Sequence, residues 1–422
     1  MIKSKIGDKT AIKMAINTEN GDKSGDKIMS DVFIIGAGCS VPYGFPTGTM
    51  LMQKLKNFDY GTKFPRENYS DGDIFLVDLY QEHFGYSSTD NKMEYQSDYA
   101  MVLPYPEHEK LYNQLMDGIV LPFSQSIRRS MMVSTDEFLK NRLGQKQNEQ
   151  TDFGKRLIAY EILKAEQEST KPLKDKWLGN IDWIQHLLSR IDQQPNWEEV
   201  LKQTVFLTFN YDRVLEYCVF LYLTSDKQYA DSNAHAFIKE MQIHHVNGFI
   251  GSLEEIPFGA VENGKYQEIA KRMETVWEKR LNRDESEKEK YQDFLRKAQR
   301  VYFMGFSYIP DNLESIGIPR GAEIIRNAKV YATAMGLSSQ NRLRISTYLD
   351  LKDFEKRNEP EPMPEFDVQY QPFKNSIMRQ QEYKQKEKLA KDQIRSRRIR
   401  YENRILKDAS AVDLILDYYT LA

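Results

Sequence analysis

Cysteine is nearly missing from this chain of 422 residues: Cys39 and Cys218 are the only two, too few for a disulfide framework or a four-thiolate zinc site. A reducing, cytoplasmic setting is expected, with no metal. Also lacking is an apolar run long enough to span a bilayer or to form a signal-peptide core, so no membrane association is expected. Neither charge sign dominates. Lys and Arg total 59 against 62 Asp and Glu, a net charge of −3, which gives no global field for polyanions. With 40% hydrophobic and 29% charged residues, the composition excludes a disordered polyelectrolyte and leaves enough apolar side chains for a sizeable core.

What is present starts after residues 1–30, which scatter charges throughout and read as a peripheral N-terminal arm. Asp31-Val-Phe-Ile-Ile35 follows, a β-branched and aromatic run without polar alternation, and then Gly36-Ala-Gly38-Cys-Ser40. A strand buried on both faces has this pattern, as in the opening strand of a parallel α/β sheet. Further strands are predicted at Thr204–Phe209, Met241–Val246, Arg300–Met304 and Lys329–Ala334, most ending in Gly, Asn or Ser. The fold expected is therefore α/β, a Rossmann-like parallel sheet domain over residues 31–350 with polar loops along one sheet edge. Residues 57–200 carry apolar positions three and four apart and read as a large inserted helical subdomain. Residues 353–422 read as a charged helical C-terminal segment behind a proline-rich linker. Its Arg395, Arg397, Arg398 and Arg400 form the one dense basic run, where a solvated helix face is expected ahead of nucleic-acid binding.

A glycine turn between a buried strand and a helix sets backbone N–H groups and a positive dipole end where a phosphate can rest. Gly36 and Gly38 supply such a turn. Val41 stands where the dinucleotide fingerprint wants its third glycine, which argues against a dehydrogenase-type site. Asn210 and Asp212 follow the second strand with one residue between them, so their side chains start on the same side of an extended backbone. Their structural role would be an Asx-type turn capping the next helix. Cys39 reads as a small buried residue, because no His or Lys in its motif is placed to ionise it.

The combination Gly36-Ala-Gly38-Cys-Ser40, Gly44-Phe-Pro46, Thr208-Phe-Asn210-Tyr-Asp212 and Gly305-Phe-Ser307 resembles the sirtuin-like (SIR2-like) superfamily, in particular its bacterial antiphage-defence members. Ser134-Thr-Asp136-Glu-Phe-Leu139 resembles a recurring helix of that group. The resemblance implies NAD as substrate and cleavage of the nicotinamide–ribose bond. It implies Gly36, Ala37, Gly38 and Ser40 in the turn around the diphosphate, Pro46 and Asn247 as further cofactor contacts, and Asn210 with Asp212 beside the nicotinamide ribose. Gly305 and Ser307 would lie on the adenosine side, with Met335 and Gly336 near the adenine. A deacetylase of the superfamily normally carries a four-cysteine zinc module, which this chain cannot build. The function implied is thus an NAD hydrolase that depletes NAD as a defence effector, assembled as a homo-oligomer or with a partner defence protein. The alternative is a catalytically altered NAD- or ADP-ribose-binding subunit or sensor.

The family's His-Gly pair, whose His acts as general base, is replaced here by Asn247-Gly248 within Ile243-His244-His245-Val246-Asn247-Gly248. An amide cannot take a proton near neutral pH. Either the base has moved to His245, which period two would put on the same strand face as Asn247, or activity is altered. The remaining histidines, His83, His108, His186 and His235, have no motif around them.

Overall fold

The computed structural model describes residues 31–61, 75–76, 79–80, 105–145, 147–175, 182–261, 265–274, 278, 285–320, 322–353 and 404–419. The N-terminal arm, His83 and Arg395–Arg400 lie outside them. Strand β1 (Asp31–Ile35) runs into two short 3-10 turns, Ala37–Cys39 and Val41–Tyr43, before helix α1 (Gly48–Asn57). Six helices then intervene among the described residues: α2 (Tyr105–Leu115), α3 (Leu121–Arg129), α4 (Thr135–Gly144), α5 (Asn148–Asp175), α6 (Trp183–Ile191) and α7 (Trp197–Gln203). Next come β2 (Val205–Thr208), α8 (Val214–Leu221), α9 (Asp231–Glu240), β3 (Gln242–His245), α10 (Tyr266–Arg272), α11 (Glu285–Lys297) and β4 (Arg300–Met304). The chain continues through α12 (Pro310–Ser315), β5 (Lys329–Thr333), α13 (Ser339–Leu349), β6 (Lys352–Asp353), β7 (Arg404–Lys407) and α14 (Ala411–Tyr418).

The strands form one sheet in the order β3-β2-β1-β4-β5-β7-β6, and every neighbouring pair is parallel. This is the doubly wound order, with a switch point between β1 and β4 where the chain reverses its direction of travel across the sheet. Period two sorts β1 onto two cores: Phe33 and Ile35 join the face covered by the inserted helices, while Val32 and Ile34 join the face covered by α11 and α13. Because both faces are covered, the strand shows no polar alternation. Register lines up an aromatic row on the first face. Phe33 stacks on Phe206 at 5.3 Å and on Tyr302 at 4.7 Å, Tyr302 on Tyr331 at 5.3 Å, and Tyr331 on Tyr418 at 4.8 Å.

One expectation is corrected at the C-terminal end. Residues 404–418 are part of the sheet domain: β7 pairs with β5 and β6, and α14 packs on α6 and β5. Arg404 explains how a charged residue opens a buried strand. Its guanidinium donates to the carbonyls of Ile325, Leu349 and Asp350, so the buried charge is satisfied by backbone oxygens. A second buried cation ties the insertion to the sheet. Arg213, after β2, meets Glu166 of α5 through Nε–Oε1 at 3.1 Å and Nη2–Oε2 at 2.6 Å, and donates to the carbonyls of Gly251, Ser252 and Ile256.

Candidate functional site

The carboxyl ends of β1, β2, β3 and β4 meet where open α/β sheets take their ligands. The glycine turn after β1 is built against the loop after β4. Gly36 N–H donates to Met304 O at 2.9 Å and Gly38 N–H to Gly305 O at 3.0 Å, while Cys39 and Ser40 N–H close the first 3-10 turn on Gly36 and Ala37. A Cβ on Gly36 would come within 2.5 Å of Gly305 O, and one on Gly305 within 2.3 Å of Cys39 N. These glycines are therefore required by the approach of two loops. Most of the turn's amides are spent on protein carbonyls, which leaves Ala37 N–H as the candidate donor toward an anion. Gly38 and Ser307 are exposed, Ala37 is half-buried and Pro46 is buried. Farther along the same sheet edge, Met335 is 69% exposed and Gly336 has a positive φ.

Asn210 leaves β2 and turns its side chain toward β1. Its Nδ2 donates to Gly36 O at 3.2 Å and to Ser40 Oγ at 2.9 Å. Both expected loops are thus in contact, and the acceptor-only Gly36 carbonyl fixes which end of the amide is nitrogen. Its Oδ1 is buried with no partner. Asn247 repeats this arrangement, with Nδ2 donating to Phe209 O at 3.4 Å and Oδ1 buried without a partner. Two amide oxygens at one sheet edge are left open, each a group whose burial costs free energy until something donates to it.

Asp212 lies in the same loop and also reaches Ser40. The Ser40 hydroxyl, which accepts from Asn210, lies close enough to the Asp212 carboxylate to favour its charged form. Asp212 Oδ1 additionally accepts Val214 N–H at 3.3 Å, the Asx-type turn at the start of α8. Burial pushes the Asp212 carboxyl up to about 7; Ser40 and the Val214 bond work against that rise, and the nearby Glu166 and Glu216 carboxylates add to it.

His245 is bonded at both ring nitrogens: Nδ1 to Asn210 O at 2.9 Å and Nε2 to Glu216 Oε1 at 2.6 Å, with Phe249 stacked on the ring at 4.6 Å. Burial disfavours the imidazolium most strongly of any single influence, but Glu216, the Asn210 carbonyl and Asp212 together outweigh it and raise the pKa above the ordinary value. The strand-face argument linking residues 245 and 247 does not hold. β3 ends at His245, and Gly248 N–H closes a turn on His245 O at 3.1 Å, so Asn247 reaches the site from a turn. His244 faces the other way, stacked on Phe294 at 5.1 Å and lowered to about 4, chiefly by burial.

No protein-family model and no curated protein sequence matches the chain. The reading of the site therefore rests on its own geometry. Among the described residues no group of three His, Cys, Asp or Glu side chains could hold a metal ion, and no helix is long and apolar enough to cross a membrane.

The inserted helices complete the site's surroundings with residues that sequence reasoning missed. Trp183 Nε1 donates to Cys39 O at 3.0 Å, and Tyr43 OH donates to Asp182 Oδ1 at 2.6 Å, pinning the start of α6 onto the glycine turn. Asp182 also caps α6 by accepting Gln185 N–H at 2.9 Å. Glu216 had a signal: it is a lone carboxylate in the otherwise apolar Leu215-Glu-Tyr-Cys-Val-Phe-Leu221, and such a residue needs a buried partner. Burial holds the Cys39 thiol far above its usual range, as an inert packed residue requires. Asp136 follows its N-cap Ser134 and is pushed up to about 6 by burial and Glu278; it neighbours Tyr211. On the open edge of β3, a cavity of about 440 Å³ is lined by residues including Glu216, His244, His245, Phe249, Arg272 and Tyr291. The His245–Glu216 pair is thus a wall shared by this cavity and the Asn210 loop.

Proposed function

We propose that this chain hydrolyses NAD at the nicotinamide–ribose bond and serves as a SIR2-like antiphage-defence effector that depletes NAD. One observation carries the reading. Two buried amide oxygens, Asn210 Oδ1 and Asn247 Oδ1, lack donors at the switch-point edge beside a carboxyl that changes charge near neutrality. Hydroxyl and carboxamide hydrogens of a nicotinamide riboside are donors of the kind these atoms lack. As the bond to nicotinamide breaks, positive charge grows on the sugar, and the oxygens of Asn210 and Asp212 present the complementary sign. The Ala37 amide is the candidate contact for the diphosphate. Asn210, Asp212 and Asn247 are all buried.

The second reading, an NAD- or ADP-ribose-binding subunit without turnover, is favoured by one feature: Asn247 cannot accept a proton and His245 has no unbonded ring nitrogen. Nicotinamide release from NAD by the purified protein separates the two. Release that disappears in Asn210→Ala supports hydrolysis; NAD binding without release, across a range of assembly states and partners, supports the binding subunit.

A further inference from the structure

We propose that Asp212, beside the Ser40 hydroxyl, is the proton acceptor of this site, and that His245 is a positioning residue for the Asn210 backbone. The proposal rests on the hydrolase reading and goes beyond it, because the motif comparison had put the base at His245 or Asn247.

The hydrogen bonds argue by elimination. Nδ1 of His245 faces a backbone carbonyl, which can only accept, so that nitrogen must carry a hydrogen. Nε2 faces a carboxylate oxygen of Glu216 at 2.6 Å, the short separation of a charge-assisted bond, and is held as a donor as well. An imidazole donating from both nitrogens has no lone pair for an incoming proton. What it does instead is grip the carbonyl of Asn210 and so set the angle of the Asn210 amide. Asn247 offers an amide, which is not a base near neutral pH.

Asp212 differs from both. Its carboxylate lies near Ser40, whose hydroxyl takes a hydrogen bond from Asn210 at 2.9 Å, and its Oδ1 accepts Val214 N–H at 3.3 Å. Asn210, Ser40 and Asp212 thereby cluster at one place, with the amide assigned to the sugar close to a group able to hold a proton. The groups facing Asp212 come from several elements: Cys39 from the glycine turn, Glu166 from α5, Glu216 and Cys218 from α8, and His245 from β3, with Arg213 next along the chain. Burial, with the Glu166 and Glu216 carboxylates adding to it, opposes negative charge on Asp212 and keeps its proton affinity near the working range of a general base.

The step balances without a further reagent. A water oxygen bonds to C1′ of the ribose while the C1′–N1 bond breaks, and the bonding pair returns to the pyridinium nitrogen to give neutral nicotinamide. The proton lost by the water passes to the Asp212 carboxylate, directly or through Ser40 Oγ, and from there to solvent.

The test measures nicotinamide release from about pH 5 to about pH 9 for the full chain and for Asp212→Asn, Ser40→Ala and His245→Gln, with NAD affinity and thermal melting recorded for each. In the wild type, kcat is expected to fall on the acid side with a midpoint near 7. Asp212→Asn, close in shape to the native side chain, should lose about 100-fold or more in kcat, bind NAD nearly as tightly, and show no acid limb. Ser40→Ala should keep the limb but move its midpoint upward, since Ser40 lowers the Asp212 pKa. His245→Gln should keep the limb at whatever rate remains. Formate should restore part of the rate to Asp212→Ala. A wild-type rate and acid limb in Asp212→Asn, or loss of the limb in His245→Gln alone, overturns the assignment while leaving the hydrolase reading intact. A wild type that binds NAD and never releases nicotinamide overturns both.

Discussion

Asn210 and Ser40 stand 170 positions apart in the chain, and the amide nitrogen of the first lies 2.9 Å from the hydroxyl of the second. That contact ties the loop after β2 to the turn after β1 and leaves the Asn210 amide oxygen buried without a donor. A side chain chosen for stability alone would not carry that cost.

Replacing Asn210 by Ala removes two hydrogen bonds and also removes the open oxygen, terms of opposite sign that are each about 1–3 kcal/mol. Urea denaturation is expected to show a stability change below about 1 kcal/mol, while nicotinamide release falls at least about 100-fold. A loss of several kcal/mol would make Asn210 a structural tie.

His245→Ala leaves the buried Glu216 carboxylate without its partner, and breaking such a pair costs about 3–5 kcal/mol. The fold raises the His245 pKa, so this stabilisation is complete below the ordinary value of about 6.5 and is lost as pH rises through the higher folded value. The penalty should therefore be larger near pH 6 than near pH 9, read as the difference between two denaturation curves. Glu216→Gln combined with His245→Ala should recover part of it. A penalty independent of pH would mean that the ring acts by packing alone.

Arg213→Met leaves Glu166 buried and also frees the carbonyls of Gly251, Ser252 and Ile256. A loss of about 3–5 kcal/mol is expected, with hydrogen exchange in α5 and residues 251–259 accelerating together. Exchange confined to one of the two would show that the arginine does not join them.

Two glycines separate loop packing from ligand contact. Gly36→Ala forces a Cβ to within 2.5 Å of Gly305 O, and overpacking of this kind costs about 1–3 kcal/mol or more. Gly48→Ala, at the first position of α1 with Ser134 Cβ 4.0 Å away, should be neutral or stabilising by up to about 1 kcal/mol. Melting temperatures without any nucleotide present check both, and an unaltered Gly36→Ala protein would return that glycine to a ligand-only role.

Much of the fold was legible because strands covered on both faces betray themselves by unbroken apolar runs, as Asp31–Ile35 and Arg300–Met304 do. Arg404-Ile-Leu-Lys407 was not legible: only two apolar residues stand between cations, and the carbonyls that satisfy Arg404 come from residues 325, 349 and 350. At the site, the motif spacing pointed to Asn210 and Asp212 in the loop after β2, and that loop meets the glycine turn through Asn210 and Ser40. The double bonding of His245 did not follow, since Glu216 arrives from a helix with no spacing relation to β3. The use of the amides of Gly36 and Gly38 was likewise hidden, because their acceptors, Met304 O at the end of β4 and Gly305 O in the loop after it, lie far along the chain.

The position of β7 between β5 and β6 sets an order on biosynthesis. Residues 329–333 and 352–353 leave the ribosome well before residue 407, so the nascent sheet waits with a gap that only a later segment can fill. Until that segment arrives, the backbone of β5 presents an unpaired ladder to its surroundings. A nascent chain is thus open to edge-to-edge pairing until residues 404–407 have been made.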